Sequence, residues 1–353
     1  MPGASFSQEL LGRIVQFVEP KRIYLLHLCL VSKAFQREAE ARLYSYMAFV
    51  DPRRAQLACR TIVESDRLAS LVKQFWFTQE HNLRQGHTRL PRSFWALIRQ
   101  ALVQMRNLEI LSLQDYMCEN SWIFDAPDIK FQLIEARLRS SWDSNTVRFL
   151  NTQQKLRWLQ FVDPRETLGA GSLGRDKGLV LPNLAIFEGN SSVGNNFLAT
   201  SPLTHMQIAA DAHTGANLRH LPKTIISLNI LELPESSVVT VVDTVSQTCP
   251  AIRHLGQLAL PVLHREGLLY CLTRLKYLRS VEVDITHWSP IPIPNAQRSL
   301  AAELKTFAPS LRTVVFWVKH NRFRWIHNPQ TQFWSYKLEN NQHRMGGHLW
   351  LQM

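Results

Sequence analysis

Residues 169–174 read Gly-Ala-Gly-Ser-Leu-Gly, the G-x-G-x-x-G pattern that can bind a dinucleotide. The pattern works only where it joins a strand directly to a helix, because the helix N-terminus then holds the pyrophosphate. Here Pro164 follows the preceding strand-like segment, and residues 175–178 do not begin a helix. We therefore predict a loop at this position and no bound cofactor.

No other residues are spaced for catalysis or metal binding. The chain has no G-x-S-x-G, P-loop or kinase motif. Its five cysteines lie far apart without a C-x-x-C pair, which is typical of reduced core cysteines in a cytoplasmic or nuclear protein. The histidines near the end of the sequence lack the i, i+4 spacing and the glutamate of a zinc helix; they are His320, His327, His343 and His348. We therefore predict a binding protein, not an enzyme, with no catalytic residue and no metal.

Residues 320–353 are rich in aromatic side chains, namely Phe323, Trp325, Phe333, Trp334, Tyr336 and Trp350. Aromatic residues dominate interface hot spots, so this segment could be a ligand-binding patch. The alternative is a cap that shields the end of a repeat array. We predict the cap.

The charge and hydropathy of the chain limit the class of partner. Forty Lys and Arg against 28 Asp and Glu give a net charge of +12, which favours an acidic partner. The basic residues are scattered and form no nucleic-acid signature, so we expect a protein partner and no nucleic acid. Glu9 and Arg13 interrupt any signal peptide, and the apolar run at residues 24–31 is too short for a bilayer. We expect no membrane association.

A six-residue frame, apolar-x-x-apolar-x-apolar, recurs along the chain at spacings of 19 to 36 residues. Seven clean copies begin at Val72, Leu108, Leu156, Leu203, Ile225, Leu278 and Leu311. Two degraded copies have Gly189 and Gln257 at the third apolar position, and a doubtful copy begins at Leu133. These spacings bracket the period of leucine-rich repeats.

Segments with helical spacing lie between the frames, as at residues 97–105, 268–275 and 300–307. A repeated helix and strand predicts an α/β solenoid with a curved parallel sheet and outer helices, in which each repeat completes the core of its neighbours. The usual Asn or Cys after each frame is missing, so we expect irregular repeats. We assign residues 72–319 to this solenoid, 49–71 to a helical linker and 320–353 to the cap.

Residues 1–48 predict three short helices, because their apolar residues repeat with helical spacing and Pro20 ends the first helix. Three helices in so few residues make a very small core. Such a unit needs a partner or a neighbouring domain to bury its remaining apolar face.

These residues resemble an F-box. The similar segments are Phe-Ser-Gln-Glu-Leu-Leu-Gly-Arg-Ile at 6–14, Leu-Cys-Leu-Val-Ser-Lys-Ala-Phe at 28–35 and Ala-Arg-Leu-Tyr at 41–44, although Phe6 and Ser7 replace the family's Leu-Pro. F-box proteins with irregular leucine-rich repeats are similar over nearly the whole length. The resemblance implies docking on the adaptor subunit of a cullin–RING ubiquitin ligase through Phe6, Glu9, Leu10, Ile14, Leu30, Val31, Lys33 and Phe35. The alternative is a three-helix cap that closes the repeat array.

The resemblance further implies a substrate receptor of an SCF-type ligase, which positions a protein substrate and performs no chemistry itself. Alternation along the strands predicts a concave substrate face of Trp158, Gln160, His205, Gln207, Asn229, Glu282, Asp284, Trp317 and Lys319. Trp158 and Trp317 are the expected anchors, unless neighbouring loops cover them. The competing function is a protein-interaction scaffold unrelated to ubiquitin.

Overall fold

A computed structural model describes residues 7–18, 21–78, 89–164, 179–211, 214–263, 265–340 and 348–352. Phe6, His343 and the glycine-rich residues 169–174 therefore lie outside the described residues. The chain folds as two compact units, Met1–Leu156 and Arg157–Met353, and both combine helices with mostly parallel strands. Among the described residues, no helix has both the length and the apolar character needed to cross a bilayer.

The first unit begins with three helices and continues with alternating strands and helices. Its elements are α1 (Gln8–Phe17), α2 (Arg22–Cys29), α3 (Lys33–Ser45), β1 (Tyr46–Phe49), α4 (Pro52–Val63), α5 (Asp66–Ala69), β2 (Gln74–Phe77), α6 (Arg92–Gln104), β3 (Ile110–Gln114), a 3-10 turn (Ser121–Phe124), β4 (Glu135–Arg139) and α7 (Ser144–Thr152). Strands β1 to β4 pair in sequence order, and every pair is parallel.

The second unit continues the same alternation and ends in a hairpin. Its elements are β5 (Trp158–Val162), β6 (Ile186–Asn190), α8 (Ser191–Gly194), β7 (His205–Ala209), α9 (Thr214–Asn217), a 3-10 turn (Leu218–His220), β8 (Ser227–Leu231), α10 (Glu235–Thr248), β9 (His254–Ala259), α11 (Arg265–Thr273), β10 (Ser280–Asp284), α12 (Pro294–Phe307), β11 (Thr313–Val318), β12 (Asn321–His327), β13 (Trp334–Glu339) and a 3-10 segment (His348–Leu351). Strands β5 to β11 are parallel, whereas β12 and β13 add antiparallel strands beyond β11.

Side-chain caps set the start of several helices. Ser7 accepts a hydrogen bond from the Leu10 amide before α1, and Ser32 accepts one from the Phe35 amide before α3. Asp143 accepts bonds from two amides at the start of α7. Each cap satisfies amide groups that have no partner within the helix, so the local sequence fixes these boundaries.

The apolar frame is confirmed as the core of the strands. In all seven clean copies, the three apolar side chains are at most 2% exposed. Strand register aligns the second apolar position from strand to strand: Phe75, Leu111 and Ala136 in the first unit, and Leu159, Phe187, Met206, Leu228, Leu255, Val281 and Val314 in the second. The doubtful copy at Leu133 is a true one, since it forms β4 with Ala136 and Leu138 buried. Strand β1 pairs with β2 ahead of the first predicted frame.

The two degraded copies have local structural causes. Gly189 has φ +155°, and a Cβ there would lie 1.9 Å from the carbonyl oxygen of Phe161 on β5. In β9, Gln257 has φ 65° and the register shifts by one residue, so that Leu258 pairs with Val283. Leu258 is buried and supplies the third apolar side chain. The frame is therefore retained in β9 through a β-bulge.

Candidate interaction surfaces

The N-terminal helices pack around a small core. Leu11 and Val15 of α1, Leu25 of α2 and Ala39 of α3 are buried, and α3 contacts both other helices. The Arg42 guanidinium donates to the Val18 carbonyl at 2.8 Å and also to the carbonyl of Val15. These bonds tie the end of α1 to α3, because the last carbonyls of a helix have no partner within it.

Most residues on which the resemblance to an F-box rests lie outside this core. Leu10 and Ile14, one turn apart on α1, are 50% and 39% exposed, and Leu30 and Val31, at the connection from α2 to α3, are 85% and 64% exposed. Glu9 and Lys33 are also exposed, and Phe35 is half-buried. Four aliphatic side chains in these segments are thus exposed, although such residues usually lie in cores.

The predicted substrate face is largely buried. Gln207, Asn229, Glu282 and Trp317 are at most 1% exposed, so the prediction that Trp317 is an exposed anchor is wrong. Lys319 is exposed, but it lies in the two-residue turn between β11 and β12 and not on a strand. The remaining members of the face are half-buried: Trp158, Gln160, His205 and Asp284.

The buried polar residues on this face form a hydrogen-bonded ladder across neighbouring strands. Glu188 Oε1 accepts from the Gln160 amide group at 3.1 Å and from that of Gln207 at 3.0 Å. Asn229 Nδ2 then donates to Gln207 Oε1 at 3.0 Å. These four residues occupy the fifth position of successive frames and pair in register. A polar side chain at one frame position in consecutive repeats is therefore the sequence signal for the ladder, and the prediction of a substrate face overlooked it.

His254 extends the ladder by two strands. Its Nε2 lies 2.9 Å from Asn229 Oδ1, and its Nδ1 lies 2.6 Å from Ser280 Oγ. Because Asn229 Oδ1 can only accept, Nε2 carries the proton and Nδ1 accepts from the Ser280 hydroxyl. Burial, together with the charge of Arg322 and the nearby His205 ring, lowers the pKa of His254 to about 3. The ring is therefore neutral, as this hydrogen-bonding pattern requires.

A cluster of charges on the same face joins the parallel strands to the terminal hairpin. Arg322 of β12 donates to Glu282 of β10 at 2.9 Å and to Glu339 of β13 at 2.7 Å. The Trp317 indole donates to the other Glu282 oxygen at 2.9 Å. Burial opposes the charge on Arg322, but the two carboxylates raise its pKa above the ordinary value. Glu282 therefore orients structural partners and is not available to a substrate.

Residues 348–352 pack on the predicted substrate face and cover part of it. Trp350 is 1% exposed, and its ring centroid lies 6.3 Å from that of His205. The 3-10 segment contacts β8 and β9, and Leu349 belongs to a buried cluster with Val315 and Trp317 of β11. Val315 and Trp317 alternate with the core residues of β11, so Leu349 lies on the strand face predicted to bind a substrate.

Within the part of the chain that the structure describes, no group of three or more His, Cys, Asp or Glu side chains could hold a metal ion. Neither a protein-family model nor a curated protein matches the chain. Function must therefore be argued from the side chains that the two units expose and bury.

Proposed function

We propose that the protein is a substrate receptor of an SCF-type ubiquitin ligase. Helices α1 to α3 dock on the adaptor subunit, and the repeats that follow them bind a protein substrate. The complex acts in the cytoplasm or nucleus. The observation that carries the proposal is the exposure of Leu10, Ile14, Leu30 and Val31 at positions that resemble the F-box motif. Apolar side chains held outside a folded core are typical of a surface that another protein covers.

The exposed side chains also give the expected strength of docking. Complete burial of one aliphatic side chain contributes about 1.5 to 3 kcal/mol. Leu10, Ile14, Leu30 and Val31 are 39% to 85% exposed, so docking buries only part of each side chain. Together they supply part of the free energy of a micromolar complex, which is about 8 kcal/mol. Glu9 and Lys33 are exposed and lie close in sequence to Leu10 and Val31, so they would add polar contacts at the rim of the docking surface.

Co-purification with the adaptor subunit tests this proposal. In the variant that combines Ile14→Asp with Val31→Asp, we expect adaptor binding to fall at least about 100-fold, because docking would bury two unpaired carboxylates. The matched control combines Leu263→Asp with Phe333→Asp, two apolar residues that are 73% and 67% exposed in the second unit. Unchanged adaptor binding by the folded Ile14 and Val31 variant would exclude this surface.

A repeat scaffold unrelated to ubiquitin is the second candidate, because α3 is joined to the first repeat. Glu40 of α3 accepts a 2.6 Å hydrogen bond from Arg67 of α5, and α3 contacts both β1 and α5. Deletion of residues 1–45, which leaves β1 intact, distinguishes the two functions. Aggregation of the truncated chain supports a cap, whereas a soluble truncated chain that no longer binds the adaptor supports a receptor.

A further inference from the structure

The apolar pair Leu349 and Trp350 is buried against strands whose other side chains on that face are mainly polar. Trp350 approaches His205 of β7, and Leu349 packs with Val315 and Trp317 of β11. Beneath these residues, the polar side chains of the ladder hydrogen-bond to one another, and Glu282 is paired with Arg322. An aliphatic and an aromatic side chain can therefore bind here without leaving a buried charge unpaired.

Two side chains of this segment contact the sheet, whereas its described backbone hydrogen bond is internal. Within the described residues, its backbone hydrogen bond runs from Gln352 N to Leu349 O, inside the segment itself, and the segment pairs with no strand. The contacts with the sheet described above are made by the side chains of Leu349 and Trp350. A free peptide that carries the same pair presents the same contacts and can compete for them.

We infer that His205, Val315 and Trp317 form a peptide-binding surface, which we call the Leu-Trp site, for a partner segment with adjacent aliphatic and aromatic residues. Leu349 and Trp350 occupy the Leu-Trp site within the chain and are displaced when the partner binds. The inference rests on the proposed function only in taking the partner to be a ligase substrate. The surface itself exists whether or not the adaptor docks.

Because Leu349 and Trp350 already occupy the Leu-Trp site, a free peptide must compete with them and binds the intact chain more weakly. A tethered segment competes at an effective concentration on the order of 1 mM. A peptide that binds the open site with a Kd of about 10 µM should then bind the intact chain roughly 100-fold more weakly. The internal segment therefore excludes weakly binding peptides, and only a partner that competes with the tethered Leu349 and Trp350 binds the site.

The probe is a fluorescent synthetic peptide of residues 347–352, Gly-His-Leu-Trp-Leu-Gln. The variant that combines Leu349→Ala with Trp350→Ala should bind this probe at least tenfold more tightly than the unmodified chain. Adding His205→Ala to that variant should reduce the gain. The control variant combines Phe333→Ala with Leu338→Ala, whose side chains are 67% and 43% exposed, and should bind like the unmodified chain. Equal binding by the folded Leu349 and Trp350 variant overturns the inference.

A second measurement uses the unmodified sequence, in case the alanine variant does not fold. The chain is labelled with 5-fluorotryptophan, and the Trp350→Phe variant assigns the ¹⁹F signal of residue 350. Millimolar probe should move that signal to the position of a solvent-exposed indole, and a probe with alanine in place of Leu and Trp should not. A signal that does not move at saturating probe overturns the inference.

Sedimentation and the adaptor assay separate the remaining outcomes. Concentration-dependent dimers that the Leu349→Ala and Trp350→Ala changes abolish would identify a second copy as the occupant and overturn the peptide inference. If the chain binds the adaptor but the probe does not displace Trp350, the Leu-Trp site is excluded and the proposed receptor function stands. If the probe displaces Trp350 but the chain does not bind the adaptor, the receptor function is excluded and the Leu-Trp site stands.

Discussion

Arg322 and Glu282 form an ion pair shielded from solvent, with 2.9 Å between Arg322 Nη2 and Glu282 Oε1 and side chains 7% and 1% exposed. The two residues lie 40 positions apart and connect β12 to β10. Each residue has a second partner, since the Trp317 indole donates to Glu282 and Arg322 also donates to Glu339. The terminal hairpin is thus held to the parallel strands by charges as well as by backbone pairing.

Arg322→Met should lower the free energy of unfolding by about 3 to 5 kcal/mol, because it leaves the buried Glu282 carboxylate without its cation. Combining it with Glu282→Gln should cost less than the sum of the two single changes. Urea denaturation of the four proteins in this cycle measures the coupling energy. Arg54→Met is the control, since its 3.7 Å pair with Asp51 is exposed and should contribute less than about 1 kcal/mol. A similar loss in both arginine variants would contradict the structural role of the buried pair.

His254 should make the protein less stable as the pH falls below about 6.5. Its pKa is about 3 in the folded chain and has the ordinary value of 6.5 when unfolded, so only the unfolded chain binds a proton between these values. The resulting loss is about 1.4 kcal/mol per pH unit. It should be visible in urea midpoints between pH 6.5 and 5, before most carboxylates titrate.

His254→Gln should remove this pH dependence while keeping a side chain that can hydrogen-bond. His287→Gln, at an exposed histidine on the connection after β10, is the control and should retain the slope. Identical slopes in both variants would assign the pH dependence to other groups.

Gly189→Ala should destabilise the second unit by several kcal/mol, because its Cβ would overlap the Phe161 carbonyl oxygen on the neighbouring strand. Gly215→Ala is the control, since a Cβ there meets nothing within 4 Å, and it should change stability by less than about 1 kcal/mol. Thermal unfolding of both variants measures the difference. Comparable melting temperatures would show that β5 and β6 separate at little cost.

The sequence predicted the strand core because each frame places three apolar residues within six positions, and burial at Leu159 or Val314 requires only its own repeat and the next one. The burial of Trp317 could not be predicted in this way. It depends on Leu349, which is 32 residues away and lies in no repeat. The bulge at Gln257 was also missed, since a positive φ at a glutamine has no local sequence signal.

The reactivity of Cys59 should report opening of α4. Burial raises its pKa to about 12, so only about one thiol in 10⁴ is ionised at pH 8, and the thiol is also shielded from reagents. Cys29 is only half-buried, although burial and the nearby Glu40 carboxylate raise its pKa as well. Under native conditions iodoacetamide should therefore label Cys29 well before Cys59, as judged by peptide mass spectrometry. In 8 M urea both should react at similar rates, because the unfolded chain removes the difference in burial. Equal native rates would mean that α4 opens as readily as the N-terminal helices, and the first repeat could not then be a rigid support for an adaptor-binding surface.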